Sequence, residues 1–233
     1  MKTLEINDHH LVGGKIPQDL LNLLTDDITK LDLSFCKHLT SLPEKLPTSL
    51  TKLDLVGCSI TSLPENLPTN LTELDLSYCD SLTSLPEKLP TSLTELNLKG
   101  CSITSLPELP TNLTKLYLTL CSALKFLPEE LPSSLTEINL RGCENLKYTP
   151  QLMARLNALS NAGCSVEYPN HFVGNAQDYA IKTLDEAITK YKESNTNVAA
   201  PSHIKTLLGA ILQTKLISAI PIKRNFLKIL PNL

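Results

Sequence analysis

Along most of the chain, apolar and polar residues alternate over four or five positions, give way to Leu-Pro pairs, and then the pattern restarts. In Lys52-Leu53-Asp54-Leu55-Val56 the period is two, which predicts a strand with Leu53 and Leu55 turned inward and the other three outward. Six segments repeat it: ITKLDLSFC, LTKLDLVGC, LTELDLSYC, LTELNLKGC, LTKLYLTLC and LTEINLRGC, ending at Cys36, Cys58, Cys79, Cys101, Cys121 and Cys143. With Cys164 included, the cysteines are 22, 21, 22, 20, 22 and 21 residues apart. One strand of about five residues cannot bury an apolar face alone, whereas parallel neighbours stacked at about 4.8 Å can.

So short a period leaves no room for a helix on the way back to the next strand. Of the 16 prolines, 11 lie between Pro43 and Pro150 on that return path. Proline fixes φ near −65° and has no N–H, which suits extended or polyproline-like chain. The leucine beside each proline is expected to anchor the path to the core.

These segments resemble the leucine-rich repeat, L-x-x-L-x-L-x-x-N/C-x-L. The short period and the stretch from Leu42-Pro43 to Leu46-Pro47, with its equivalents, are similar to the repeats of secreted bacterial effectors of the YopM and IpaH type, which Legionella leucine-rich-repeat effectors also carry. The resemblance covers roughly residues 25 to 170. It implies an α/β solenoid with a parallel β concave face, an extended convex side and helical caps, to which the helical spacing further on adds a C-terminal helical appendage. It also implies a module that binds a host protein after translocation from a bacterium into the host cytoplasm. One departure is that those families usually place Asn where this chain has Cys. IpaH-type proteins add a ubiquitin-ligase domain with its cysteine in a C-x-D setting; no cysteine follows Cys164, so no such ligase is expected here.

The ends read differently from the repeats. Ile16 to Leu24 suggests a short helix with Pro17 in its first turn, within an N-terminal cap over residues 1–27. Thr149-Pro150 starts a second helix whose apolar face is Leu152, Met153, Leu156 and Leu159, with Gly163 placed to stop it. The solenoid with this closing cap is expected over 28–172, and a helical segment over 173–233. In that last segment Ile181, Leu184, Ile188 and Tyr191 recur at helical spacing, as do Ile204, Leu207, Leu208, Ile211 and Leu212.

Leucine supplies 48 of 233 residues while aromatics make up 4%, a composition that fits one layer stacked many times. No stretch is long and apolar enough to span a membrane as a helix, and Met1 to His10 lacks the apolar core of a secretory signal. A net charge of −3 does not favour nucleic acid. After Glu193, Lys205, Lys215, Lys223, Arg224 and Lys228 face no acidic residue. Such a basic amphipathic stretch can touch an anionic membrane surface, although packing of its apolar face on a neighbouring helix is favoured.

The cysteines have no C-x-x-C cluster for a metal, and parallel side chains on adjacent rungs lack disulfide geometry. They are expected to be buried, reduced thiols that donate weakly to carbonyls at the turn leaving each strand. The five histidines, His9, His10, His38, His171 and His203, stand in no catalytic motif. No enzyme, cofactor or metal is therefore expected.

Binding falls to the outward positions of the strands. A first row is Lys30, Lys52, Glu73, Glu95, Lys115 and Glu137; a second is Asp32, Asp54, Asp75, Asn97, Tyr117 and Asn139; a third is Ser34, Val56, Ser77, Lys99, Thr119 and Arg141. Three adjacent aspartates repel one another unless neighbours or a ligand compensate, and Tyr117 is a plausible anchor. The residue before each cysteine alternates Phe35, Gly57, Tyr78, Gly100, Leu120, Gly142, as duplication of a two-repeat unit would give. The bulky members could also form an apolar ridge, and Tyr78 is grouped with the binding face. An alternative role is an adaptor recruiting a host ubiquitin ligase through the terminal segments. Ile16-Pro-Gln-Asp-Leu-Leu faintly resembles the start of an F-box, but too few residues follow it for a complete one.

Overall fold

The computed structural model describes residues 2–169, so the expected helical segment over 173–233 and its basic stretch lie outside the described residues. Eight parallel strands follow one another in sequence order in a single sheet. They are β1 (Thr3–Glu5), β2 (Lys30–Asp32), β3 (Lys52–Asp54), β4 (Glu73–Asp75), β5 (Glu95–Asn97), β6 (Lys115–Tyr117), β7 (Glu137–Asn139) and β8 (Ser165–Glu167). The register never slips: Leu31, Leu53, Leu74, Leu96, Leu116 and Ile138 are successive partners. All six are buried, as are Leu33, Leu55, Leu76, Leu98, Leu118 and Leu140 one alternation further on.

Two of the eight strands were not expected. Residues 1–27 read as a cap, yet β1 pairs with β2 and is the first rung of the same sheet. Thr3-Leu4-Glu5-Ile6 is a shortened copy of the Lys-Leu-Asp-Leu pattern, and Ile6 is buried. The open edge of β2 offers it a row of backbone partners. At the other end Ser165-Val166-Glu167 pairs with β7 in the same way. Between β1 and β2 lie a 3-10 turn over Asp8–His10 and a helix, α1 (Gln18–Leu21), of four residues. Pro17 is its N-cap, one step before the expected position.

The closing helix α2 runs over Pro150–Asn161, and the Thr149 hydroxyl accepts the Leu152 N–H. Leu156 and Leu159 are buried, while Leu152 and Met153 are half-buried. None of the described helices is long and apolar enough to cross a membrane.

Each rung is built from the same few contacts. The second proline of each Leu-Pro pair has no N–H, but its carbonyl accepts from the leucine three residues on, as in Pro47 to Leu50 at 3.1 Å. Thr51 donates its hydroxyl to the carbonyl of Thr29 on the preceding rung at 3.0 Å, and Thr72, Thr94, Thr114 and Thr136 continue that ladder. A second ladder alternates: Ser49, Ser92 and Ser134 donate to Ile28, Leu71 and Leu113, while Asn70 and Asn112 donate to Thr48 and Thr91. The two-repeat unit is therefore a structural unit as well as a sequence one.

The cysteines form a third ladder. Cys58 donates from Sγ to the Leu33 carbonyl at 3.1 Å, and that same oxygen accepts the Cys36 N–H at 3.2 Å. The arrangement recurs at Leu55, Leu76, Leu98 and Leu118, so each carbonyl uses both lone pairs, one within its rung and one toward the next. Burial pushes Cys58, Cys79, Cys101, Cys121 and Cys143 up to about 12, which keeps them protonated donors at neutral pH. All seven cysteines are free thiols.

The turn from each strand to its cysteine places one residue in the left-handed region. Gly57, Gly100 and Gly142 sit there at φ 68°, 72° and 75°, and so do Phe35, Tyr78 and Leu120 at 60°, 59° and 63°. A bulky residue there costs about 1 kcal/mol or more. The alternation has a steric cause. A Cβ on Gly57 would lie 3.2 Å from Phe35 Cδ1, and one on Gly100 would lie 2.8 Å from Tyr78 Cδ1. Each bulky side chain thus leans across the bare turn of the next rung.

Candidate protein-binding face

The outward side chains of β2 to β7 fall into the rows expected. Lys30, Lys52, Glu73, Glu95, Lys115 and Glu137 are register partners in turn, and so are Asp32, Asp54, Asp75, Asn97, Tyr117 and Asn139. The strands are three residues long, shorter than the five expected, because the second-row residue ends the strand. Asp32 Oδ1 accepts the Ser34 N–H at 3.1 Å, Asp54 Oδ1 that of Val56 at 3.2 Å and Asp75 Oδ1 that of Ser77 at 2.8 Å. Asn97 and Asn139 do the same for Lys99 and Arg141. One side-chain oxygen per rung is thus committed to the turn, which explains why this row is Asp or Asn.

The second carboxylate oxygen distinguishes the aspartates. That of Asp32 lies 2.9 Å from Lys30 Nζ, and that of Asp75 accepts from Asn97 Nδ2 at 3.1 Å. Asp54 forms no ion pair among the described residues. Its partner in the turn is Val56, which has no hydroxyl to add, whereas Ser34 and Ser77 donate theirs to Asp32 and Asp75. Burial pushes the Asp54 carboxyl above its ordinary value; the Val56 N–H opposes this, and the charges of Asp32 and Asp75 reinforce it. Burial acts on Asp32 too, but its Ser34 and Lys30 contacts outweigh it and hold that carboxyl low.

The first row is largely self-neutralising. Lys52 pairs with Glu73 at 2.6 Å and Lys115 with Glu95 at 3.1 Å. Tyr117 replaces the Asp or Asn of its rung and donates its hydroxyl to Glu137 at 2.8 Å. Burial first, then that carboxylate, pushes the phenol up to about 12, so it stays a neutral donor. Asn139 donates to Glu167, and Arg141 Nε lies 3.5 Å from the same carboxylate.

Sequence reasoning missed Glu5 and Glu167, which extend the second row at either end as partners of Asp32 and Asn139. Their signal was the alternation in Thr3 to Ile6 and Ser165 to Glu167, present without the following cysteine. Tyr78 does not belong with the rows. It lies in the turn beyond β4 and not on the strand itself. Among the described residues no group of His, Cys, Asp and Glu is arranged to hold a metal ion.

Leucine-rich-repeat profiles match residues 49–69 and 92–113, and a second profile of the same description matches 68–84. The three matches fall on rungs that the sheet stacks in register. The fold is a leucine-rich-repeat solenoid. No curated protein matches it. Among solved structures, YopM from Yersinia enterocolitica is 29% identical over 50% of this chain and 29% of that one, with a TM-score of 0.41. YopM from Yersinia pestis, titled a leucine-rich effector protein, is 25% identical over 62% of this chain and 38% of that one, with a TM-score of 0.46. The leucine-rich-repeat domain of the type III effector XopL is 22% identical over 72% of this chain and 76% of that one, with a TM-score of 0.45. This chain thus spans well under half of either YopM chain. As a stack of rungs with one open sheet face it is a protein-interaction module.

Proposed function

We propose that this leucine-rich-repeat protein is a bacterial effector, secreted into a host cell, that binds a host protein on the concave face of its sheet. The observation that carries the reading is the split between inward and outward positions. Inward residues are nearly invariant from rung to rung, whereas outward ones vary in charge, size and aromaticity on a rigid backbone. Eight strands at about 4.8 Å span roughly 34 Å, enough for an interface of about 800 Å² per partner. The acidic stretch from Asp32 to Asp75, with the unpaired oxygen of Asp54, suits a basic patch on that partner. Tyr117, held by Glu137 and half-buried, suits an apolar contact. The effector role is supported by the repeat signature, with its short period and paired Leu-Pro steps.

The test is affinity capture from eukaryotic lysate with the natural chain and with Asp54→Asn combined with Tyr117→Ala. Asparagine keeps the turn, as Asn97 does, so the fold is retained while the charge and the anchor are removed. A host protein bound through this face is expected to lose about 2 kcal/mol of affinity, near thirtyfold. Equal retention of every captured protein by the variant rejects the concave face as the site.

The adaptor reading finds no comparable support. The residues that faintly resemble an F-box supply only the single-turn helix α1 and the connection into β2.

A further inference from the structure

Phe35, Tyr78 and Leu120 are large apolar side chains that remain 64%, 45% and 53% exposed. Each occupies a left-handed turn position that glycine fills on the intervening rungs, so the fold itself does not call for them. Each also lies close over the glycine of the next rung, whose bare turn leaves room for it. Strain and exposure therefore coincide at three places along one rim of the sheet.

The crests recur every second rung, about 9.6 Å apart at the usual strand spacing. This interval discriminates among the forms a peptide can take. Same-face residues of an extended strand repeat at about 6.7 Å, and a helix repeats one face every seven residues, at about 10.5 Å. A polyproline helix repeats every three residues, at about 9.3 Å. Over two intervals the polyproline helix drifts by under about 1 Å, the α-helix by about 2 Å.

Polyproline chain also leaves its carbonyls without internal donors. The crest carries donors beside the apolar groups. The Tyr78 hydroxyl has no partner among the described residues. Lys99 Nζ lies 5.3 Å above the Tyr78 ring and makes no ion pair there. Arg141 is the backbone partner of Leu120, its carbonyl accepting the Leu120 N–H at 2.7 Å. Lys99 sets the sign of the charge that belongs between the prolines, while Arg141 is shared with Glu167 at 3.5 Å.

We propose that the Phe35–Tyr78–Leu120 crest is a second docking surface, which takes an acidic, proline-rich segment of a partner protein in polyproline conformation. The apolar groups of the segment meet the three crests, its carbonyls accept from Tyr78 and Lys99, and its carboxylates face Lys99 and Arg141. This surface shares Lys99 and Arg141 with the third row but no residue with the first two, and it stands whether or not a host protein binds at Asp54 and Tyr117.

The experiment uses the full chain and a fluorescent synthetic peptide of repeated Pro-Pro-Glu triplets, with binding read by anisotropy. The Pro-Pro-Glu peptide is expected to bind about tenfold more tightly than a Pro-Pro-Lys peptide of equal length, and more tightly than an acidic helical peptide with Leu at every seventh position. Phe35→Gly combined with Tyr78→Gly is expected to weaken it at least about tenfold, with the unfolding temperature unchanged or raised, since glycine relieves the turn. Should that variant fail to fold, Tyr78→Asn, also tolerant of positive φ, takes its place. Stronger binding of the helical or basic peptide, no binding of Pro-Pro-Glu, or full binding by the folded variant overturns the proposal.

Discussion

The strands β2 to β4 and β5 to β7 share one backbone and one interior but differ in the charge of their second row. In the first group Asp32, Asp54 and Asp75 stand side by side, and among the described residues Lys30 is the only cation paired with that row. In the second group Asn97 and Asn139 make the same turn without charge, and Tyr117 is hydrogen-bonded to Glu137. The turn needs one side-chain oxygen and is indifferent to the second. The charge of the first group is therefore a surplus over what the fold requires, and Asp54 is its member with the fewest donors around it.

The largest effect should come from the part that the two groups have in common. Leu74→Ala and Leu116→Ala each empty a fully enclosed site and should cost about 3 kcal/mol in urea unfolding. Similar losses in both groups would confirm that the interior is blind to the difference outside; a loss below about 1 kcal/mol in one group would break the comparison.

Asp54 separates the two tasks of its carboxylate. Asp54→Ala removes the acceptor for the Val56 N–H and should destabilise by about 1 kcal/mol at neutral pH. Asp54→Asn keeps the acceptor and removes the like charge, so it should stabilise by about 0.5 kcal/mol. The sign with pH follows from the raised carboxyl. Its folded value lies above the unfolded one, so the ionised group opposes folding at neutral pH, and the penalty fades as pH falls through the folded value. The advantage of Asp54→Asn should fade over the same range when stability is followed from pH 7 downward. An advantage constant with pH would show that charge is not its origin.

The smallest effect is the converse substitution. Asn97→Asp places a charge beside Asp75 and removes the amide that donates to it, and should cost a few tenths of a kcal/mol at low salt, less at high salt. Insensitivity to salt would mean that the two groups differ less than their charges suggest.

Much of the architecture was legible because each rung repeats the same nearest-neighbour problem. The spacing of the cysteines, the Leu-x-Leu alternation and the Leu-Pro return path each occur often enough to identify one another. The structural place of the thiols was also legible, since a small weak donor beside a strand end has few options. β1 and β8 were not, because each has half of the pattern and becomes a strand only when the neighbouring rung supplies its hydrogen bonds. Tyr78 was misplaced for a related reason. Its alternation with glycine before each cysteine is visible in the sequence, but only the backbone shows that the position lies in the turn beyond the strand.

By itself, the sequence determined the rung: its length, its inward leucines, its cysteine and the direction of its return. These depend on local alternation and on burial, which a single repeat already encodes. Only the stacked structure decided which carboxylate goes unpaired, why glycine alternates with bulky residues, and which side chains form the crest. Those outcomes depend on what the adjacent rung places within a few ångströms, and no single segment contains its neighbour.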